Sequence, residues 1–176
     1  MQYENIPQPV LDPSFVPAVI WNRQYRDKAA VTPGSRPMAV ALTRDDGLCY
    51  HWNATVLPDV PEYRADTFKF VERAVKFLLW MKGGNRIIVG GAPEVAAQLA
   101  AEYSETGGRK FDWDFIGRKI YDHPITVESV ALDAMPPAKD SAVSLGRHLD
   151  GNRIGFDLGG SDRKAAAVVN GEVVFS

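Results

Sequence analysis

Cysteine is almost missing from this chain: Cys49 is the only one. That excludes an internal disulfide and any multi-cysteine zinc site. Histidine is scarce too, with three in all. None lies at metal-ligand spacing from His51, which reads as a cross-strand packing partner. No long apolar run exists. The longest, Phe77-Leu78-Leu79-Trp80-Met81, is far too short to span a bilayer. No sign of charge dominates: 20 Lys and Arg face 22 Asp and Glu, a formal net charge of −2, so no basic field recruits nucleic acid or an anionic membrane. The opening residues carry acid and proline rather than a basic and then apolar stretch, so no secretory signal is expected and a cytoplasmic location is. Repeats and low-complexity tracts are absent. What is present, 45% hydrophobic and 24% charged residues, is the composition of a soluble globular protein able to bury a core.

The most informative stretch lies late in the chain, Asn152-Arg153-Ile154-Gly155-Phe156-Asp157-Leu158-Gly159-Gly160-Ser161-Asp162-Arg163-Lys164. Ile154, Phe156 and Leu158 alternate with Gly155 and Asp157, the period of a half-buried strand. Asp157 therefore points away from the Phe156 face, at the strand's carboxyl end. Gly159 and Gly160 lack Cβ atoms, so backbone can approach a ligand and successive N–H groups can form a concave anion nest. Ser161 adds a hydroxyl and Lys164 a cation. A second apolar strand follows, and Asn170-Gly171 predicts a type I′ turn into a third. These glycines open a strand rather than a helix, unlike a P-loop or a dinucleotide fingerprint.

The order Asp-Leu-Gly-Gly-Ser-x-x-Lys followed by a hairpin resembles the first phosphate motif of the actin-like ATPase superfamily, which includes hexokinases, sugar kinases, heat-shock chaperones and actin. Within it, the pattern is most similar to the ROK sugar kinases (repressor, open reading frame, kinase), whose opening reads Asp-Ile-Gly-Gly-Thr. The resemblance covers residues 153 to 176 only. It implies that Asp157 sits near the metal and phosphates of ATP, holding magnesium through water. It implies that Gly159, Gly160 and Ser161 line the phosphate loop and that Lys164 is the basic position of hexokinase-type versions. Two departures stand out. Ser161 replaces the usual threonine, and Asp162 places an acid beside the loop, where it would repel phosphate. The bare alternative is a glycine-rich hairpin with no ligand.

Elsewhere the pattern predicts an α/β protein, a small mixed sheet with flanking helices. Residues 1–36 read as a proline-rich arm, with Phe15 to Trp21 docking one turn on the body. Arg23, Arg26 and Lys28 beside Tyr25 read as a solvated basic turn. Residues 37–135 form a small α/β module. In it, strands over 38–43 and 48–57 flank an Asp45-Asp46-Gly47 turn. Pro58 and Pro61 end the sheet segment. Asp66 caps a helix from Thr67 to Lys82 whose apolar face includes Val71, Ala74, Val75, Leu78 and Met81, widened by Phe68, Phe77, Leu79 and Trp80. Gly83-Gly84 stops it. A buried strand over 86–89 leads through Gly90-Gly91 into a helix from Pro93 to about Tyr103. That glycine pair at a helix start is either a tight turn or a second anion site.

Phe111-Asp112-Trp113-Asp114-Phe115 suits a strand edge, or a short helix capped by Asp114 and running through Ile120. Asp112 and Asp114 are a conceivable acid pair, with a solvated face as the plainer role. A strand follows over 125–130. Residues 136–150 read as a linker and short helix, and residues 151–176 as the start of a truncated actin-like (ribonuclease H-like) nucleotide-binding domain. The motif's usual later parts, a second phosphate loop, an adenosine loop, a catalytic aspartate and zinc-binding cysteines, are not in this sequence. The expectation is therefore an amino-terminal fragment of an ATP- and magnesium-dependent carbohydrate kinase, inactive alone, taking a small-molecule sugar and a nucleotide. A homo-oligomer or a missing carboxyl-terminal domain would cover the last strand. The alternatives are a non-enzymatic α/β interaction module and a kinase-like sugar sensor.

Overall fold

The computed structural model describes residues 9–140 and 149–176. The chain divides into two compact units, Met1–Asp140 and Ser141–Ser176.

The first unit is an α/β sandwich of one sheet with helices on one face. Its elements are α1 (Ala18–Val31), β1 (Arg36–Thr43), β2 (Cys49–Val56), α2 (Pro61–Lys82), β3 (Arg86–Gly90), α3 (Pro93–Glu102) and β4 (Thr126–Val130). The sheet order is β2-β1-β3-β4. Strand β1 runs antiparallel to both β2 and β3, while β3 and β4 are parallel. A parallel pair needs a crossover, and α3 with the segment after it supplies one. Alternation sorts the side chains. Met38, Val40 and Leu42 of β1 join Ile87 and Val89 of β3 in the main core under the helices, while Ala41, Cys49 and Ile88 form a second, smaller cluster on the opposite face. No helix among the described residues is long and apolar enough to cross a membrane.

The expected amino-terminal arm is instead integral to this core from Ala18 onward. Helix α1 starts directly after Pro17, and Trp21, Tyr25 and Ala29, spaced four apart, are buried. Proline before a helix start does not oppose it, which is why the proline count misled. The Tyr25 ring stacks on Phe70 of α2 at 4.2 Å and on Trp21 at 5.7 Å. Its hydroxyl shares a hydrogen bond of 2.8 Å with Thr67 Oγ1 and accepts the Leu57 N–H at 3.2 Å. One phenol thus ties α1, α2 and the exit of β2 together.

Helix α2 also starts earlier than the sequence suggests. Pro61 is its first residue, where the missing N–H costs nothing, and Asp66 lies inside rather than at the cap. The stretch expected as a strand edge is helical: a turn over Lys110–Asp112 runs straight into a π-helical segment, Trp113–Ile120. Phe111 and Phe115 fall on one side of it and stack at 5.5 Å. Backbone crossing fixes its end, since a Cβ on Gly117 would stand 2.7 Å from Ile125 N.

The expected linker packs as well. After a 3-10 turn at Leu132–Ala134, the chain passes over the helix-free face of the sheet. A Cβ on Gly90 would meet Met135 Sδ at 2.6 Å, so that strand position holds glycine to let the strap lie close. Lys139 then pairs with Cys49, each N–H donating to the other's carbonyl at 2.9 Å. The helix expected from Lys139 does not begin there, and its body, residues 141–148, lies outside the described residues.

The second unit is a three-stranded antiparallel ribbon, β5 (Asn152–Leu158), β6 (Arg163–Val169) and β7 (Glu172–Phe175), in that order. Asn170 and Gly171 both have positive φ, 51° and 89°, the signature of the type I′ turn read from Asn-Gly.

Replacing Tyr25 by Phe keeps the ring stack and removes the shared acceptor, leaving the buried Leu57 N–H and Thr67 hydroxyl unsatisfied. We expect Tyr25→Phe to lower stability by about 1–3 kcal/mol. Urea unfolding followed by tryptophan fluorescence should show a lower midpoint at unchanged m-value, and an unchanged midpoint would refute the role given to the hydroxyl.

Candidate functional site

The sequence-derived site residues come together at one end of the ribbon. Register places Asp157 of β5 opposite Lys164 of β6, with Leu158 opposite Arg163, so residues 159–162 close the bend. Asp157 Oδ2 lies 3.9 Å from Lys164 Nζ, and both side chains are 68% exposed. The same ammonium lies 3.2 Å from Asp162 Oδ2. Ion pairs this exposed are worth little, so neither carboxylate nor lysine is committed. Ser161 is exposed at the bend.

The two glycines differ. A Cβ on Gly160 would meet nothing within 4 Å, while one on Gly159 would stand 2.8 Å from Asp162 Oδ1. Asp162 thus folds over Gly159, and the space above Gly160 is open. Neither glycine adopts a positive φ. A nest of the kind that alternates right- and left-handed backbone is therefore not formed at Gly159-Gly160. Beside the bend, a hollow is lined by residues from both faces of the ribbon, among them Gly155, Phe156, Asp157, Lys164, Ala165 and Phe175. The alanines and glycine of β5 and β6 leave that room.

The other proposed sites have structural roles. At Gly90-Gly91, the Gly91 carbonyl accepts from Arg36 Nε at 3.3 Å and Arg36 pairs with Glu94 in the first turn of α3. Glu94 already complements that helix dipole, and its charge would repel an anion. The tight-turn reading holds. Asp112 and Asp114 do not form an acid pair, and Asp112 is not solvated. Buried at 3% exposure, it accepts the Trp80 Nε1–H at 2.7 Å and faces Lys76 Nζ at 3.7 Å. Asp114 pairs instead with Lys119 at 3.0 Å.

Two features escaped the sequence reading. Trp80, Phe111 and Phe115 stack nearly parallel at 5.5–6.4 Å and are substantially exposed, where the helical periodicity had assigned Trp80 to a widened buried face. The locked indole N–H holds this cluster in place. The second is a cleft at the free edge of β2, where His51 turns out to line a cavity rather than only packing across to Ala41. Its Nε2 is buried without a hydrogen-bond partner. Nothing in a single strand's alternation distinguishes an edge from a centre, so the cleft was not visible beforehand.

No family model, curated protein or solved structure matches the chain.

Near the aromatic cluster, Glu72 is buried against Arg109 Nε at 2.5 Å and accepts from Tyr103 at 3.4 Å. Burial first, and then the Glu72 charge, push the Tyr103 phenol far above its usual value of 10.0. Burial likewise raises Tyr25 and Tyr121. In the unfolded chain these phenols ionise near 10, whereas the folded chain keeps them protonated. Above that pH the unfolded state binds fewer protons, so stability falls as pH rises. We expect urea midpoints to hold up to pH about 9.5 and decline beyond it. Tyr103→Phe should flatten part of that decline; an equally steep decline in the variant would count against a neutral Tyr103.

Proposed function

We propose that the β5–β7 ribbon is the first phosphate-binding loop of a ROK-like, ATP-dependent sugar kinase, and that the catalytic base of such an enzyme is not among these 176 residues. The observation that carries the reading is the juxtaposition at the bend: an uncommitted carboxylate and an uncommitted ammonium in register, beside a Gly160 with open space above it.

The chemistry required of such a loop is positioning and charge compensation. Gly160 lets phosphate oxygens reach the main chain. Ser161 offers a hydroxyl donor, and Lys164 a cation once its exposed pair with Asp157 opens. Asp162 must swing away from Gly159 and Lys164 first. Among the described residues no group of three or more His, Cys, Asp or Glu could hold a metal ion. Magnesium, however, is commonly held by one or two carboxylates, several waters and the nucleotide's own phosphates, which suits Asp157 acting alone through water. When bound, magnesium would offset the charge of the phosphate oxygens.

A second reading, a non-enzymatic interaction module, draws on the exposed Trp80-Phe111-Phe115 cluster, since apolar surface of that kind marks contact sites.

A Cβ at Gly160 would meet no protein atom within 4 Å and the backbone there is not left-handed, so Gly160→Val adds bulk where a phosphate would approach and tests the loop. On titrating magnesium ATP into the ¹⁵N-labelled chain, we expect selective amide shifts at Gly159, Gly160 and Ser161 in the millimolar range. They should vanish in Gly160→Val and Asp157→Ala. The chain alone should transfer no phosphate to glucose or N-acetylmannosamine. Shifts scattered over the whole chain, or none at all, would remove the phosphate-loop reading, and turnover by the chain alone would remove the claim that it lacks the base.

A further inference from the structure

Strand β2 is an edge of its sheet, and half of its backbone groups face outward. The Arg44 N–H donates to the Leu48 carbonyl, which sets the alternation: Tyr50, Trp52, Ala54 and Val56 bond to β1. Cys49, His51, Asn53 and Thr55 therefore turn their N–H and C=O groups to the free side. Cys49 is already paired there with Lys139. The ladder cannot extend along the strap, because the residues before Ala138 are Pro136 and Pro137, which have no N–H. Among the described residues nothing bonds the outward groups of His51, Asn53 and Thr55.

These three residues line a cleft of about 790 Å³, bounded on one side by Arg26 and Ala30 of α1 and on the other by Met135 of the strap. Edge strands are usually blunted by charge, proline or a bulge. Strand β2, Cys-Tyr-His-Trp-Asn-Ala-Thr-Val, has none of these. The cleft also offers one unmet charged group, and a second polar atom beneath its wall has no partner. Arg26 is exposed and joins no ion pair among the described residues. The buried Nε2 of His51 lacks a partner.

We propose that this cleft is a peptide-docking site, in which an extended segment of another protein, bearing a carboxylate for Arg26, adds to β2 as a fifth strand. Main-chain bonds to His51, Asn53 and Thr55 give such a strand its register, and the walls of the cleft read its alternate side chains. A single extended chain fits between α1 and the strap. A second copy of this chain fits worse. Two-fold pairing of β2 edges would bring each copy's α1 and strap to the same seam and set Arg26 against its own counterpart. This inference is independent of the phosphate-loop reading, since it uses no residue of the ribbon.

The test selects ligands from a displayed library of random dodecapeptides on the full 176-residue chain. An enriched peptide is then synthesised unmodified and N-methylated at alternate residues in each of the two registers. Binding should be lost with one register and kept with the other, as only alternate amides face the edge. Asn53→Pro removes one outward donor and leaves the β1 ladder intact. It and Arg26→Glu should each weaken binding by at least about tenfold. Circular dichroism and thermal melting establish that the variants fold; should Asn53→Pro fail, the N-methylation pair and Arg26→Glu decide alone. The proposal is overturned by peptides that tolerate both registers, by equal binding to Arg26→Glu, or by no enrichment. It is overturned equally by sedimentation showing a concentration-dependent dimer that Asn53→Pro abolishes, which would make a second copy the occupant.

Discussion

Five consecutive buried residues, Met38 to Leu42, leave β1 no face open to water, and ladders on both sides leave it no edge. Buried backbone must be paired, so β2 and β3 are obligatory neighbours and their register is fixed by β1. That register decides what each face of the sheet carries. Even-numbered positions of β1 sit under α1 and α2. Odd-numbered positions, Ala39 and Ala41, are small and lie with Gly90 where the strap crosses. A helix layer on one face and a thin strap on the other follow from that difference in side-chain volume. The asymmetry also leaves β2 exposed along its edge, since among the described residues the strap's backbone bonds to it only at Cys49.

Elements with strong local patterns were legible in the sequence. The strand over 86–90, the helix starting at Pro93, the Asp45-Asp46-Gly47 turn and the type I′ turn at Asn170-Gly171 follow from periodicity and turn chemistry alone. Tertiary contacts decided the rest. Trp21, Tyr25 and Ala29 mark a helical stripe, yet flanking prolines drew attention away from it. In Phe111-Asp112-Trp113-Asp114-Phe115, period-two alternation mimics a strand. A bond from Trp80 to the buried carboxylate of Asp112 instead secures a helical turn. Such a partner, 32 residues away, has no local signal. The strap failed for a similar reason: Met135-Pro136-Pro137 has linker composition but packs against a glycine that only the fold brings near.

The hairpin that carries Asp157 and Lys164 was legible, because hairpin register follows from turn length. Asp157 and Lys164 fall opposite each other once the bend is placed. The backbone conformation at Gly159-Gly160 was not legible. Glycine permits the left-handed region but does not require it, and here Asp162 occupies the space over Gly159 while both glycines remain outside that region. An anion arriving at this bend must therefore displace Asp162, and the cost is modest because that carboxylate is half exposed and its pairing with Lys164 is solvent-screened.

The ribbon and the sheet of the first unit treat the same alternation in opposite ways. In the sheet, the apolar row of each inner strand is buried. In the ribbon, Ile154, Phe156 and Leu158 are 71%, 72% and 76% exposed, and Phe175 is 64% exposed. By itself, a three-stranded ribbon has no second layer to bury that row and give it independent stability. Period-two geometry puts that row on the face opposite Asp157 and Lys164. A layer packed on the apolar row would therefore leave the polar face free, and burying the row would hold the register that keeps Asp157 and Lys164 side by side. On the phosphate-loop proposal, completing the ribbon's core and assembling that site are one event, so the ribbon by itself would bind nucleotide weakly.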